Sequence, residues 1–275
     1  MASIRDKYNR FLDSNPALNA FGSIQDEVKR HRKGHIIQLV GALTFGGFLS
    51  LFLSLLASIM GYGNTGATTA YTLLASAINM VVSNIIFGLF LLRVRGESFS
   101  FEIVRRYFKL IVVQLLCGVV LAVAQTFALN FALTLTAFDA RLNTLTSIFV
   151  SVVFTLFNAL VAFRVLDGTH RVRDIMPGMF SVIGRHWVPL VFLGMLFLVW
   201  SFAANVMYAS LLYDQITAVQ SINNVFHALL NQHEFALAGQ VCLFYLVNFV
   251  VGGFFECGLL LGLAVCYERE KDSCF

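Results

Sequence analysis

Six uninterrupted apolar runs, at residues 35–60, 69–92, 110–136, 145–166, 187–212 and 238–266, constrain this chain more than any other feature. As helices rising about 1.5 Å per residue, all six are long enough for a hydrocarbon core roughly 30 Å thick. Backbone N–H and C=O groups find no water there, so a spanning segment must be a helix or part of a closed barrel. Barrel strands read as about ten residues of alternating polarity. These runs are longer and do not alternate, so helices are expected.

Composition supports the same reading. The 275 residues are 58% hydrophobic and 12% charged, whereas a soluble domain is about half apolar and about a quarter charged. The expected fold is an all-α polytopic membrane helix bundle with about six transmembrane helices. Spans three and four are divided by Asp139, Arg141 and nearby polar residues; one helix over 110–166 would be about twice too long for the bilayer. The expected organisation is a cytoplasmic segment at 1–34, a transmembrane domain at 35–267 and a cytoplasmic tail at 268–275. Residues 1–34 lack the apolar run and cleavage site of a secretory signal. Within them, Ile4 to Phe21 reads either as an amphipathic segment lying on a membrane or partner, or as a disordered tail.

Lys and Arg are retained on the cytoplasmic side of short loops. Seven lie before the first span, five around the second-to-third loop, four around the fourth-to-fifth loop and two after the last span, so eighteen of nineteen share one face and Arg141 stands alone opposite. Both termini are therefore expected in the cytoplasm, with the chain in the cell (inner or plasma) membrane. The net charge of +4 is read as a topology signal and as attraction to anionic lipid heads, not as a nucleic-acid surface. The basic and aromatic loop residues Arg105, Arg106, Arg171, Arg173, Arg185 and Trp187 are candidates for docking a partner or meeting lipid headgroups.

The two inner loops resemble each other at a period of about seventy residues. Leu92-Arg93-Val94 matches Phe163-Arg164-Val165; Gly96 or Gly168 follows, then an amphipathic stretch, then Arg105-Arg106-Tyr107 or Arg185-His186-Trp187. This suggests either a parallel internal repeat around a central path or convergent loop chemistry.

Phe163 to Leu193, reading FRVLDGTHRVRDIMPGMFSVIGRHWVPLVFL, resembles the signature region of the YciC-like family of bacterial membrane proteins. There a helix end and a short acidic turn lead into a cytoplasmic amphipathic helix and a basic-aromatic step into the next span; Asp167, Ser181, Arg185, His186 and Trp187 take the corresponding places. Ser98 to Leu115 is similar in character to the family's earlier basic loop. The segment from Tyr213 to Leu237 departs from it. The resemblance implies a multi-spanning plasma-membrane protein and no established activity.

Glu256 is the sharpest candidate for chemistry, since it falls well inside the sixth span. A central acid costs about 2.5–3.5 kcal/mol to insert, so such groups face a bundle interior or watery cavity, or take up a proton. It is read as a proton-coupling or cation-binding group, with Asn248, Asn205, Asn158, Asn84 or Gln114 as polar neighbours, or else as hydrogen-bonded structural glue. Gly258 and Gly262 on the same span, with Gly252 and Gly253 nearby, have the spacing that lets helices approach closely.

Gln215 to Leu230 carries apolar residues at helical spacing and reads as an interfacial helix, a connector or a lid. His227, His233 and Glu234 do not form HExxH, because Leu237 stands where the second histidine belongs, and no metal site or cofactor is expected. The five cysteines lack CxxC spacing and read as small apolar fillers. Without a nucleophile elbow, a phosphate loop or paired intramembrane acids, an enzyme is disfavoured. The leading expectation is a non-enzymatic membrane component or accessory of a larger transport or assembly system. The alternatives are a small proton- or cation-coupled transporter using Glu256, and an intramembrane enzyme.

Overall fold

A computed structural model describes residues 33–60, 65–135, 140–169, 171–212 and 235–273. Eight helices and no strand occur among them: α1 (Lys33–Met60), α2 (Thr65–Arg95), α3 (Phe101–Lys109), α4 (Ile111–Leu135), α5 (Ala140–Leu166), α6 (Val172–Arg185), α7 (Trp187–Leu212) and α8 (Phe235–Ser273). Six of these, all but α3 and α6, are long and apolar enough to cross a membrane. The chain is a multi-pass, all-α helical protein. The expected division of 110–166 into two spans is present as α4 and α5. The readings of Ile4–Phe21, Gln215–Leu230, His227, His233, Glu234 and Asp139 lie outside the described residues.

The spanning helices pair into three hairpins, α1–α2, α4–α5 and α7–α8, arranged cyclically. The second helices of the hairpins, α2, α5 and α8, touch one another and form the centre. Each first helix lies against its own partner and the central helix of a neighbouring hairpin: α1 on α2 and α8, α4 on α5 and α2, α7 on α8 and α5. Burial follows this order. The spanning windows of α2, α5 and α8 are 33%, 50% and 61% buried, against 11%, 17% and 17% for α1, α4 and α7.

Close packing is concentrated toward the basic end of the bundle. Phe90 and Leu91 on α2, Leu160 and Phe163 on α5, and Leu259, Leu260 and Leu263 on α8 are all fully buried. Hydrocarbon is as apolar as these side chains, so packing and interhelical polar bonds, more than water exclusion, hold such a core.

The two inner loops share one construction. α2 and α5 both end at a glycine with positive φ, Gly96 at 71° and Gly168 at 82°. In the first, the N–H of Gly96 donates to Arg93 O and that of Glu97 to Leu92 O. In the second, Gly168 donates to Val165 O and Thr169 to Arg164 O. This paired bonding satisfies carbonyls that a helix end leaves open, and glycine adopts the required left-handed backbone without strain. A short amphipathic helix follows in each loop, then a one-residue break: Leu110 (φ −103°, ψ 20°) before α4 and His186 (φ −113°, ψ 24°) before α7. Matching the glycines gives a spacing of 72 residues, one more than the Leu-Arg-Val match suggests.

The amphipathic helices are anchored by their apolar faces. Tyr107 on α3 is fully buried, and its hydroxyl donates to Ala162 O at 3.0 Å. Gly88 makes room for it, since a methyl group there would overlap the Tyr107 hydroxyl. On α6, Ile175, Met179 and Val182 are buried at helical spacing. The sixth span differs from its expected limit: α8 does not stop near 266 but continues through Glu268, Arg269, Glu270 and Lys271 to Ser273. Glu, Arg and Lys are good helix formers, and the ion pairs described below fix this turn, so the described part of the 268–275 tail is helix.

Candidate functional site

A cavity of about 450 Å³ opens between α1, α2, α7 and α8. Small residues set the helix spacing beside it. A methyl group at Gly47 would meet the Phe249 ring at 3.0 Å, one at Gly46 would meet Ile86 at 2.7 Å, and one at Gly252 would meet Trp200 Nε1 at 3.1 Å. Gly253 faces α1, with Val40 and Thr44 in ordinary contact distance. The Thr44 hydroxyl donates to Phe249 O at 3.4 Å.

Polar groups from all four helices reach the cavity: Ser50 of α1, Asn79 and Ser83 of α2, Ser201 and Asn205 of α7, and Asn248 and Glu256 of α8. Trp200 Nε1 donates to Asn248 Oδ1 at 3.2 Å, and Asn205 Nδ2 donates to Ser201 O at 2.8 Å. Among the described residues, Glu256 makes no hydrogen bond or ion pair, and no Lys, Arg or His lines the space. On α2 the lining runs from Asn79 to Phe87 and the turn beyond it, Phe90 to Leu92, is fully buried. On α8 it ends at Glu256, and Leu259 to Ala264 are closed off. The chamber therefore stops at Glu256 on its basic side.

The expected neighbours of Glu256 divide. Asn248 and Asn205 line the same cavity; Asn84, Gln114 and Asn158 do not. Asn84 and Gln114 are buried elsewhere and engage each other: Asn84 Nδ2 donates to Gln114 Oε1 at 3.0 Å, and Gln114 Nε2 donates to Tyr107 O at 2.5 Å. They tie α2 to α4 and to the end of α3. The expected packing role of Gly258 is not borne out, since no described atom comes within 4 Å of a methyl group placed there. The close approaches occur at Gly252 and Gly253, because that part of α8 faces α7 and α1. Gly262 is buried.

A second polar centre lies where the three central helices end. Arg95 at the end of α2 pairs with Glu268 of α8, and with Asp167, just past α5, at 2.8 Å. Asp167 also accepts from the Tyr267 hydroxyl at 2.7 Å and lies 3.3 Å from Lys271 Nζ. Beside this cluster, Glu270 accepts from Ser181 at 2.7 Å, pairs with Arg185 at 3.0 Å and faces His186 at 4.0 Å. Burial holds the His186 imidazole below its usual pKa, against the pull of Glu270. Burial likewise pushes the Tyr107 phenol up, leaving it a neutral donor.

The six loop candidates also separate. Arg105, Arg171 and Arg173 are exposed, as is Trp187 at 58%. Arg106 and Arg185 are exposed too, but Arg106 donates to Leu166 O at 2.5 Å and Arg185 pairs with Glu270, so both have internal partners. Cys117, Cys257 and Cys266 are buried, as small fillers would be. No group of three metal-ligating side chains occurs among the described residues.

Sequence reasoning missed the cavity's aromatic wall and the cluster around Asp167. Two signals pointed to them: Trp200, a tryptophan deep inside a span where headgroup placement is the rule, and the acidic pair Glu268 and Glu270 in a segment read only for its cations. No family model, no curated protein and no solved structure matches the chain.

Proposed function

We propose that the chain is a small transporter of the cell membrane, in which the cavity between α1, α2, α7 and α8 receives the solute. The observation that carries this reading is Glu256, among the described residues the sole acid in a chamber that four helices furnish with amides and hydroxyls, with no described basic group lining it. Helix-bundle interiors are where membrane proteins place such groups along substrate and ion paths. With the basic loops in the cytoplasm, as the charge asymmetry predicts, the packed ends of the central helices are the inner seal and the cavity is loaded from outside. Release inward then requires the hairpins to part, and the Arg95–Asp167–Glu268 cluster is the contact that must open.

Purified protein in proteoliposomes tests this. Wild type should carry proton- or cation-coupled flux and Glu256→Gln should abolish it. Equal flux from the two would remove Glu256 from the mechanism. A cysteine introduced at the exposed Ser98 should react only from the cytoplasm; labelling from outside would invert the orientation.

A second reading, a membrane component or accessory of a larger assembly, is favoured by one observation: α3 exposes Phe101, Arg105 and Phe108 on the face away from its buried Tyr107. Such a face suits a partner or an anionic lipid surface. Migration as a free monomer after mild extraction from native membranes would count against it.

A further inference from the structure

The identity of the solute is constrained by what surrounds Glu256. A cavity of about 450 Å³ lies within the range of sites for small organic molecules and is far larger than a desolvated metal ion needs. Divalent calcium takes six to eight oxygen ligands and magnesium a strict octahedron, whereas the described residues of this chamber offer one carboxylate. An anion would meet that carboxylate with no cation among the described lining residues to offset it, and a neutral solute would leave the ionised carboxylate unbalanced.

The walls supply the remaining argument. Trp200, Tyr245 and Phe249 line the same space as Glu256. Trp200 is stacked on Phe255 at 5.8 Å and held by Asn248. Phe249 is braced edge-on by Phe48 at 5.0 Å and lies 6.0 Å from Tyr245. Their rings are thus fixed by neighbours before any ligand arrives. Aromatic faces attract cations through the ring quadrupole, most strongly where water is excluded, and sets of such rings recognise alkylated ammonium groups.

We infer that the cavity is a binding site for an organic ammonium cation, its charge balanced by Glu256 and its alkyl surface received by Trp200, Tyr245 and Phe249. The inference rests on the cavity being the solute site and adds the class of solute. Asn248, through its bond to Trp200, positions that ring and does not itself recognise the charge.

Choline serves as the probe, beside its uncharged isostere in which the quaternary nitrogen is carbon. The sequence has two tryptophans, so a Trp187→Phe background leaves Trp200 as the sole tryptophan, read by selective tryptophan excitation in detergent-purified protein. Choline should perturb Trp200 emission saturably, and the neutral isostere should bind about tenfold more weakly or worse, a factor equal to 1.4 kcal/mol. Glu256→Gln should weaken choline by the same factor without altering the isostere, while Glu256→Asp should restore part of it. Equal affinity for charged and uncharged probes, choline binding unchanged by Glu256→Gln, or no binding of either probe would each overturn the assignment. If choline binds as expected but is not taken up by proteoliposomes, the cation site stands and the transporter reading falls. If Glu256-dependent proton flux is found without choline binding, the reverse holds.

Discussion

Arg95, the last residue of α2, sets its guanidinium 2.8 Å from the Asp167 carboxylate just past the end of α5, so one charged contact joins two hairpins at their ends. Both side chains are about one-seventh exposed, at 15% and 14%. Stranding a fully buried charge costs several kcal/mol; here the cost is smaller, because Arg95 keeps Glu268 and Asp167 keeps Tyr267 and Lys271 when the other is removed. Arg95→Ala and Asp167→Ala should each destabilise the detergent-solubilised protein by about 2 kcal/mol, measured by reversible unfolding. The double mutant should fall short of the sum by about 1 kcal/mol or more. Simple additivity would mean that the contact contributes nothing.

The loop glycines offer a cleaner backbone test. Nothing stands within 4 Å of a methyl group at Gly96, Gly168 or Gly184, but the first two have positive φ and Gly184 is helical. Gly96→Ala and Gly168→Ala should therefore each cost about 1–2 kcal/mol from backbone strain alone. Gly184→Ala should be neutral or stabilising by up to about 1 kcal/mol. Unequal costs at Gly96 and Gly168 would argue against their equivalence in the two loops.

Two interhelical amides should behave differently. Asn84 is bonded to Gln114 away from the cavity, whereas Asn248 lines it and holds Trp200. Asn84→Ala should lower stability by about 1 kcal/mol, the scale of interhelical hydrogen bonds in membranes, and leave proteoliposome flux unchanged. Asn248→Ala should impair flux with a smaller effect on unfolding. Equal flux in the two variants would detach Asn248 from solute handling.

His186 gives the protein a pH-dependent element. Burial is the main cause of its lowered pKa, with Arg269 and Arg185 adding to it and Glu270 opposing. The unfolded chain binds the proton near the ordinary value of 6.5 and the folded chain binds it lower. Between those two values the unfolded state holds more protons, so this contribution to stability is present above 6.5 and lost as the pH falls through the folded value. The melting temperature should drop between about pH 7.5 and pH 5, with part of the drop missing in His186→Gln. An identical pH profile in the variant would exclude His186 as its source.

The spans were legible because lipid demands length and apolarity, and both are written locally in the chain. Their arrangement was not. The six spanning windows have nearly equal mean hydropathy, 2.0 to 2.2, while their buried share runs from 11% to 61%. A leucine facing hydrocarbon and a leucine facing another helix satisfy the same requirement, so hydropathy cannot separate central from peripheral helices. Glu256 was legible as an isolated acid in an oily run, and Asn248 and Asn205 do share its chamber. Asn84 and Gln114 had the same sequence signal and a different destination, fixed by helix rotation. The ionic cluster was hidden because Arg95, Asp167 and Glu268 lie far apart in sequence and meet only when three helix ends converge.

The helix with the most buried span, α8, is also the last of the six to leave the ribosome. Until it enters the bilayer, α1 has only α2 and α7 only α5 of the spanning helices to lean on, Arg95 has no Glu268, and the cavity beside Glu256 has no fourth wall. Closure of the centre must then wait for α8. A chain interrupted before α8 would present to the cell's quality-control proteases a set of oily segments whose centre lacks its most buried helix.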